Sequence, residues 1–460
     1  MLTSWRIKNF KAWQDTGTIK LAPLTVFFGE NSVGKSSLGQ LLLALKQTVQ
    51  SSTVTQPLDF GNAQSLIDLG GFAQNLHQGQ LDKPLEFELH WQLAPTLKLK
   101  CMPEQAPIIL DSLQLRVSFV ADLTQQPQVD FICYKGLQKG EELLQVSYSA
   151  SDKDTLLVQI RQHCERIPLA AKQRVKRFDQ LPVTEDSAAS WVHSLAAQTA
   201  HILTHLHSLA ALRVAPKRRY IWQGDTPADV GRDGRSAVAA ILAAGAEQRT
   251  LQVADELPEQ SLQQAVAYWL KQIGVATDFS VQLVAQSIDN YCVVLKNHRE
   301  ASAANLMDVG FGISQLLPII VQIFYAQPHS TVWLEQPEIH LHSHVQAGLA
   351  DLLIAGVQAK QNHQARNVQI IVESHSEHFL NRLQRRIAEG VISHEDVALY
   401  FCSRNEEQET HIEALNVDTY GEISNWPTNL FGDEMTDIAA RAMAAVRRKR
   451  QDNASGVDDV

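Results

Sequence analysis

Eight consecutive residues, Gly29-Glu30-Asn31-Ser32-Val33-Gly34-Lys35-Ser36, have the types and spacing needed to bind phosphate. They fit the pattern G-x-x-x-x-G-K-[ST], in which a glycine-rich loop surrounds the phosphates. In this pattern the lysine reaches the β- and γ-phosphates and the hydroxyl holds Mg²⁺. The predicted cofactors are therefore ATP and Mg²⁺. The residues expected to contact them are Glu30, Asn31, Ser32, Val33, Gly34, Lys35, Ser36 and Ser37.

The flanking segments decide whether this loop is a true phosphate site. Residues 24–28 are apolar and β-prone, which predicts a buried strand. After the loop, Leu38, Leu41, Leu45 and Val49 recur at helical spacing. The loop would thus join a strand to a helix N-terminus, whose free N–H groups and dipole favour an anion. A chance glycine-rich turn with an exposed lysine would not need these flanks, so we favour the phosphate site.

Phosphoryl transfer also needs an acidic group for the metal and a group that positions the attacking water. Residues 331–335 are a β-type run that ends in Glu335, and Gln336, Pro337 and Glu338 follow. This order resembles the ABC ATPases, in which an acid for Mg²⁺ is followed by a glutamate that polarises water and then by proline. The resemblance assigns Mg²⁺ to Glu335 and the water to Gln336, an amide that can orient water but cannot accept its proton. We expect Glu338 to act as the base if the turn brings it close. The alternative is a weakened or inactive ATPase.

A second glycine-rich loop precedes this acidic strand. Gly310, Gly312 and Ser314 open an apolar helix, where glycines allow close backbone approach and a helix N-terminus offers donors to phosphate. The plain alternative is an ordinary helix start with Ser314 as the N-cap. Its place before the acidic strand resembles the ABC signature loop, which implies that it completes the nucleotide site of an opposite subunit.

Histidines follow two of the predicted strands. His375 ends the strand at 368–374 and matches the switch histidine of the same family, which contacts the γ-phosphate. His340, His342 and His344 would share one face if they lay in a strand, and could then bind zinc. The resembling ATPases commonly carry a histidine-leucine-histidine run here, which favours the non-metal interpretation.

Composition narrows the function class of this 460-residue chain. It has 40 basic and 50 acidic residues and a net charge of −10, which argues against a globally basic nucleic-acid coat but leaves room for a local DNA-binding patch. Five dispersed cysteines without a C-x-x-C pair fit a reducing cytosol. No signal peptide or membrane span is apparent, so we expect a cytoplasmic protein without a membrane partner.

The pattern along the chain predicts an α/β fold: a P-loop NTPase of ABC type, with a mixed sheet, an antiparallel β meander and a helical insertion. The helical insertion could present a solvated face or a surface for DNA or a partner. The predicted divisions are an N-terminal ATPase part at 1–83, the meander at 84–150, the helical insertion at 151–212, a C-terminal ATPase part at 213–402 and a final segment at 403–460 with a disordered tail.

Taken in order, these motifs resemble the SMC, RecF and OLD group of ABC-type ATPases. In that group the basic residue of the opening strand, here Lys11, touches phosphate. Residues 426–434 are similar to a C-terminal domain of uncharacterised function found in some of these ATPases. Only 85 residues follow His375, too few for the Toprim nuclease domain of OLD proteins, and the long heptads of SMC proteins are missing.

The resemblance implies an ATPase that dimerises head-to-tail on ATP, or forms a larger homo-oligomer, and regulates a separate effector such as a nuclease. Anti-phage defence or DNA maintenance is the expected setting. Two alternatives stay open at this point. One is an ATP-dependent scaffold or sensor in which Gln336 makes hydrolysis negligible. The other is a metal-dependent nuclease of OLD type.

Overall fold

The computed structural model of this chain describes residues 1–53, 56–101, 106–151, 155–160, 163–168, 175–181, 190–285, 288–296, 303–405, 407–427 and 443–444. The helices, in chain order, are α1 Lys35–Gln50, α2 Phe72–Asn75, α3 Val192–Thr204, α4 Ala237–Ala246, α5 Leu262–Gln272, α6 Phe311–Tyr325, α7 Ser343–Gln358 and α8 Glu377–Ala388. The strands are β1 Leu2–Phe10, β2 Trp13–Asp15, β3 Ile19–Lys20, β4 Leu24–Gly29, β5 Leu85–Leu99, β6 Ile108–Ala121, β7 Pro127–Gln138, β8 Glu141–Ser149, β9 Thr155–Ile160, β10 His163–Pro168, β11 Leu206–Leu209, β12 Tyr220–Ile221, β13 Thr250–Leu251, β14 Gln260–Ser261, β15 Asp278–Leu283, β16 Asn290–Lys296, β17 Ala304–Asn305, β18 Thr331–Glu335, β19 Lys360–Gln361, β20 Gln364–Ala365, β21 Gln369–Glu373, β22 Val397–Arg404 and β23 Thr410–Leu415.

A six-stranded sheet carries the motifs. Its order is β11-β18-β21-β4-β22-β23, and all neighbours pair in parallel except β22 and β23. Parallel strands bring their carboxyl ends to one edge of a sheet, so the loops after β4, β18 and β21 meet there. The sheet also extends past the boundary predicted at residue 402, because β22 runs through it and β23 follows.

Side chains of β4 alternate between two apolar cores. Phe27 packs with Trp5 and Trp333, at ring-centroid distances of 6.2 and 6.0 Å, in the core that contains α1 and the meander. Val26 and Phe28 face the other core, which contains α6, α7 and α8. Successive side chains of a strand point to opposite faces, so β4 is buried on both faces and fixes the loop that follows it.

The predicted meander is confirmed, and it is larger than expected. β5 to β10 pair consecutively and antiparallel, and β5 adds to β1 to form a nine-stranded sheet. The helical insertion predicted from residue 151 is wrong over 155–168, where β9 and β10 form instead. Leu156, Val158 and Ile160 are buried at alternate positions of β9, so burial on the sheet outweighed a composition rich in helix formers. Helix α3 alone fits the helical expectation among the described residues of that segment.

The rest of the fold supports the central sheet. β12, β15, β16 and β17 form a four-stranded sheet, and helix α5 lies between β12 and β15 in sequence. Among the residues that the structure describes, no helix is long and apolar enough to cross a bilayer. The predicted disordered tail from about residue 453 lies outside them.

Candidate nucleotide site

The phosphate loop has the predicted strand–loop–helix geometry. It leaves β4 at Gly29 and enters α1 at Lys35, with positive φ angles at Gly29, Ser32 and Gly34 of 137°, 61° and 102°. Glycine is required twice for space as well. A Cβ atom on Gly29 would lie 2.1 Å from the Cys402 carbonyl oxygen, and one on Gly34 would lie 2.6 Å from the Ala12 Cβ. This backbone leaves the loop N–H groups at a helix N-terminus, an arrangement that binds anions.

Lys35 is held inside the loop. Its ammonium donates to the carbonyl oxygens of Gly29 and Glu30 at 2.9 and 2.6 Å, and its side chain is only 3% exposed. Burial lowers the pKa of Lys35, while the nearby Glu373 opposes that shift. Lys35 is therefore a buried cation held within the loop, and its contact with the β- and γ-phosphates stays a prediction.

The other loop residues divide between support and surface. Glu30, Asn31 and Ser32 are exposed, whereas Val33 is buried in the core below. Ser37 donates to the Gly34 carbonyl at 2.6 Å and so closes the loop onto the first turn of α1. The exposed residues thus border the space above the loop, and the buried ones hold its shape.

Two carboxylates lie side by side where the neighbouring strands end. Glu335 of β18 and Glu373 of β21 are register partners in the parallel pair. The Ser36 hydroxyl, expected near Glu335, donates to the Glu373 carboxylate at 2.9 Å. Glu335 instead has Arg232 at 3.5 Å. Sequence reasoning missed Glu373, although it ends a β-type run just as Glu335 does.

Burial controls both carboxylates. It raises the pKa of Glu373 to about 7, against the opposing effects of the Ser36 hydroxyl and Lys35. Burial also raises the pKa of Glu335, and Arg232 opposes that shift. Carboxylate and hydroxyl oxygens are the ligands that Mg²⁺ prefers, so this donor set fits the metal that the phosphate loop implies.

The turn after β18 meets the end of β21. The Gln336 side-chain nitrogen lies 3.1 Å from His375 Nε2, and the Gln336 backbone N–H donates to the Glu373 carbonyl at 2.8 Å. The pKa of His375 falls to about 4, chiefly because the ring is buried and secondarily because Lys35 is near. The ring is therefore neutral at pH 7, and its Nε2 can accept from the Gln336 amide. Sequence reasoning expected these two residues at one site, and the structure brings them together.

Glu338 sits on the same turn, and its carboxylate faces the backbone of His375. It is 7% exposed, and its carboxylate accepts the backbone N–H of His375. Burial raises the pKa of Glu338, and the His375 contact opposes that shift. Glu338 thus ties the turn after β18 to the end of β21.

Two arginines that the sequence did not single out also reach this region. Arg213, which is 7% exposed, lies within 3.5 Å of the Glu335 and Gln336 carbonyl oxygens. Burial lowers the pKa of Arg213 to about 10, and Glu338 is the main opposing charge. Arg232 also donates to the Leu66 carbonyl at 2.9 Å. Arg213 follows β11, the neighbour of β18, and the Ala210 N–H at the end of β11 donates to the Arg232 carbonyl at 2.7 Å. Only the tertiary structure reveals these placements.

Lys11 lies beside α1 rather than in the loop itself. Its ammonium donates to the Gln40 side chain at 2.7 Å, and burial lowers its pKa. The adjoining Trp13 ring donates to the Gly34 carbonyl at 3.0 Å. The turn between β1 and β2 therefore supports the phosphate loop and carries Lys11 next to it.

The loop at 310–314, which we term the signature loop, leads into α6. The helix begins at Phe311 with Gly310 as its N-cap, so the alternative in which Ser314 caps the helix is wrong. Ser314 lies inside the first turn and is buried to 5% exposure. A Cβ atom on Gly312 would lie 3.1 Å from the His340 carbonyl oxygen, so a small residue lets this turn approach the turn after β18.

The histidines at 340, 342 and 344 do not share a strand face. His340 lies in a turn, His342 is the N-cap of α7 and His344 lies within that helix, and all three are exposed. In the described part of the chain, no group of three or more His, Cys, Asp or Glu side chains is placed to hold a metal ion. Residues 340–344 form a turn and a helix start, so the histidines lack the shared strand face that the zinc interpretation required.

Two segments of the chain match known protein families. Residues 248–380 match the AAA ATPase domain family, and residues 392–440 match a family described as a protein of unknown function (DUF3696). Searching the curated proteins finds no match.

Solved structures similar to the chain include the SmcHead bound to the C-winged helix domain of ScpA, with 9% identity, a TM-score of 0.44 and coverage of 90% of this chain and 98% of that one. The SMC head domain from Thermotoga maritima has 10% identity, a TM-score of 0.39 and coverage of 90% and 99%. A third is the Smc head domain with an extended coiled coil bound to the C-terminal domain of ScpA derived from Pyrococcus furiosus, with 10% identity, a TM-score of 0.40 and coverage of 97% and 99%. The phosphate loop at 29–36 and the match over residues 248–380 both indicate an ATPase domain, and residues 392–440 are similar to the DUF3696 family.

Proposed function

We propose that the chain binds Mg·ATP at the loop 29–36 and hydrolyses it slowly in a homodimer whose copies meet head-to-tail. The observation that carries the proposal is the convergence of Lys35, Ser36 and the Gln336–His375 pair at the carboxyl edge of three adjacent parallel strands. Such an edge is where open α/β sheets bind ligands. Ser36 and the carboxylates at the ends of β18 and β21 would hold Mg²⁺, which would neutralise phosphate charge.

The chain's own residues have distinct roles in this proposal. Lys35 neutralises phosphate charge, and Gln336 with neutral His375 orients the attacking water. An amide cannot take the proton of that water. Glu338, whose pKa burial raises, is the proposed base, and its contact with the His375 backbone fixes its position.

In the proposed dimer the signature loop, with Gly310, Gly312 and Ser314, completes the site of the opposite copy. Closure on ATP and opening after hydrolysis would regulate a separate effector protein, such as a nuclease. Anti-phage defence or DNA maintenance is the setting we propose, with DNA contact through a local basic surface. These roles rest on the motif order, and a test of shared sites is the most direct check of the dimer.

Purified protein provides that test. Lys35→Ala protein and Ser314→Arg protein should each lose ATP turnover, while their mixture should recover part of it. Mixed dimers would contain one site with both changes and one intact site. Activity of Ser314→Arg protein equal to wild type, or a mixture no more active than its components, would refute a site shared between copies.

A second candidate function is an ATP-dependent scaffold or sensor. Its supporting observation is that the residue after Glu335 is Gln336, whose side-chain amide already contacts the His375 ring. Single-turnover measurements with excess protein separate the two functions. A scaffold would bind ATP and change its oligomeric state, as seen by light scattering, without releasing phosphate. The nuclease alternative has no support from the described residues, since the histidine trio forms no metal group.

A further inference from the structure

The phosphate-loop pattern assigns the Ser36 hydroxyl to the metal, and Glu373 is the carboxylate that is hydrogen-bonded to this hydroxyl. The Ser36 hydroxyl donates its proton to Glu373 Oε1 at 2.9 Å. A hydroxyl that donates its proton keeps its lone pairs for a cation. The hydrogen bond therefore orients Ser36 as a metal ligand. Sequence reasoning had expected Glu335, and not Glu373, to be the acid beside this hydroxyl.

Glu335 is engaged elsewhere. Its carboxylate lies 3.5 Å from the Arg232 guanidinium, which also bonds the Leu66 carbonyl. The two strands place Glu335 and Glu373 in register, so both carboxylates end at the same edge of the sheet. The two acids therefore have equivalent strand positions but different partners: Glu373 bonds the Ser36 hydroxyl, and Glu335 pairs with Arg232.

The second oxygen of Glu373 supplies an independent observation. Glu373 is 2% exposed, and its Oε2 atom is buried without a hydrogen-bond partner. A buried carboxylate oxygen without a partner is costly, and native proteins rarely retain one without a functional reason. An oxygen so placed can accept from the water shell of a cation held by the adjacent hydroxyl.

We propose that Glu373, at the end of β21, is the principal acid of the Mg²⁺ site: Oε1 holds the Ser36 hydroxyl and Oε2 accepts from the metal's water shell. This assignment rests on the proposed function, because the metal arrives with ATP. Glu335 then serves as a secondary acid whose charge Arg232 partly offsets. The principal acid of the site would thus come from β21, the strand beside β4, and not from β18.

Nucleotide binding measured with and without metal tests the assignment apart from turnover. ATP affinity is determined by calorimetry in Mg²⁺ and in EDTA for wild type, Glu373→Gln and Glu335→Gln, and the gain caused by Mg²⁺ is compared. Glu373→Gln should lose about 10- to 100-fold of that gain, the amount typical of a lost hydrogen bond to a charged group. Affinity in EDTA should be unchanged or higher, since a negative charge near the phosphates is removed. Glu335→Gln should lose less than tenfold.

Controls separate this role from a structural one. Glu377→Gln changes an exposed acid four residues on, in the first turn of α8, and should keep the full Mg²⁺ gain. Glu373→Asp retains the charge and should give an intermediate gain, which keeps the test decisive if the amide variant does not fold. The double variant Ser36→Ala/Glu373→Gln should lose little more of the Mg²⁺-dependent gain in ATP affinity than either single variant, because the two groups act as one unit.

The failures are distinguishable. A Mg²⁺ gain in Glu373→Gln equal to that of wild type overturns the assignment alone, as does a larger loss in Glu335→Gln. Wild-type protein that binds no ATP, with or without Mg²⁺, overturns the proposed function and this assignment with it. Titration of Mn²⁺ by electron paramagnetic resonance in the presence of ATP gives the same comparison directly on the metal.

Discussion

Replacement of Lys35 by alanine probes the centre of the site. The Lys35 side chain is 3% exposed, so the desolvation of its ammonium has already taken place in the folded protein. The attraction between the ammonium and a phosphate charge ~4 Å away is worth ~4 kcal/mol at an effective dielectric constant of ~20. To reach the phosphate, the ammonium must give up its hydrogen bonds to the Gly29 and Glu30 carbonyl oxygens, and this loss offsets part of the attraction. We therefore expect a net loss of ~2–4 kcal/mol, or about 30- to 1,000-fold in the Kd of ATP.

Calorimetry with ATP and Mg²⁺ measures this loss. Lys98→Ala is the matched control, because Lys98 is an exposed lysine on β5 of the meander, and it should bind ATP as wild type does. Thermal unfolding of both variants checks that the fold is retained. A Lys35→Ala protein that folds and binds ATP within threefold of wild type would contradict the assignment of this loop.

Further substitutions test three other features: the signature loop, the groups that position and activate water, and the packing of α1. In the proposed dimer the signature loop acts on the opposite copy, so Ser314→Arg alone should weaken ATP-induced dimerisation in light scattering while leaving the ATP affinity of the monomer within threefold of wild type. Gln336→Glu should speed single-turnover hydrolysis if a missing carboxylate limits the rate, whereas Glu338→Gln should slow it by ~10²–10⁴-fold if Glu338 is the base; equal rates in all three proteins would refute both roles. Gly39→Ala should lower the stability by ~1–3 kcal/mol, because its Cβ would lie 2.3 Å from a buried tryptophan ring, while Gly245→Ala on α4, with open space around it, should not destabilise the protein.

The sequence was informative wherever chemistry and structure depend on neighbours along the chain. The strand, loop and helix around residues 29–36 follow from local periodicity and from glycines that must adopt positive φ. The meander likewise shows its period of two. The helical expectation failed at 155–168 because composition was given more weight than the alternation at 156, 158 and 160, which was visible in the sequence.

The missing parts depend on which strands are neighbours in space. Glu373 and Ser36 are 337 positions apart, and their contact exists because β21 lies directly beside β4. Arg213 follows β11, which lies beside β18, and Arg232 is held near the end of β11 by the hydrogen bond from the Ala210 N–H to its carbonyl. Single-sequence patterns give strand positions but not strand order, so the sequence could place Glu335 at a strand end without showing which acid meets the hydroxyl.

The turn after β18 joins the two loops on which the proposed cycle depends. At one end, the Gln336 amide and the Glu338 carboxylate contact His375, the residue expected to meet the γ-phosphate. At the other end, the His340 carbonyl lies against Gly312 of the signature loop. A shift of His375 toward phosphate would therefore strain contacts that reach the first turn of α6 through five residues of one turn. Since packed elements respond to such changes by moving between discrete arrangements, this turn offers a physical route by which nucleotide state could alter the surface that meets a second copy in the proposed dimer.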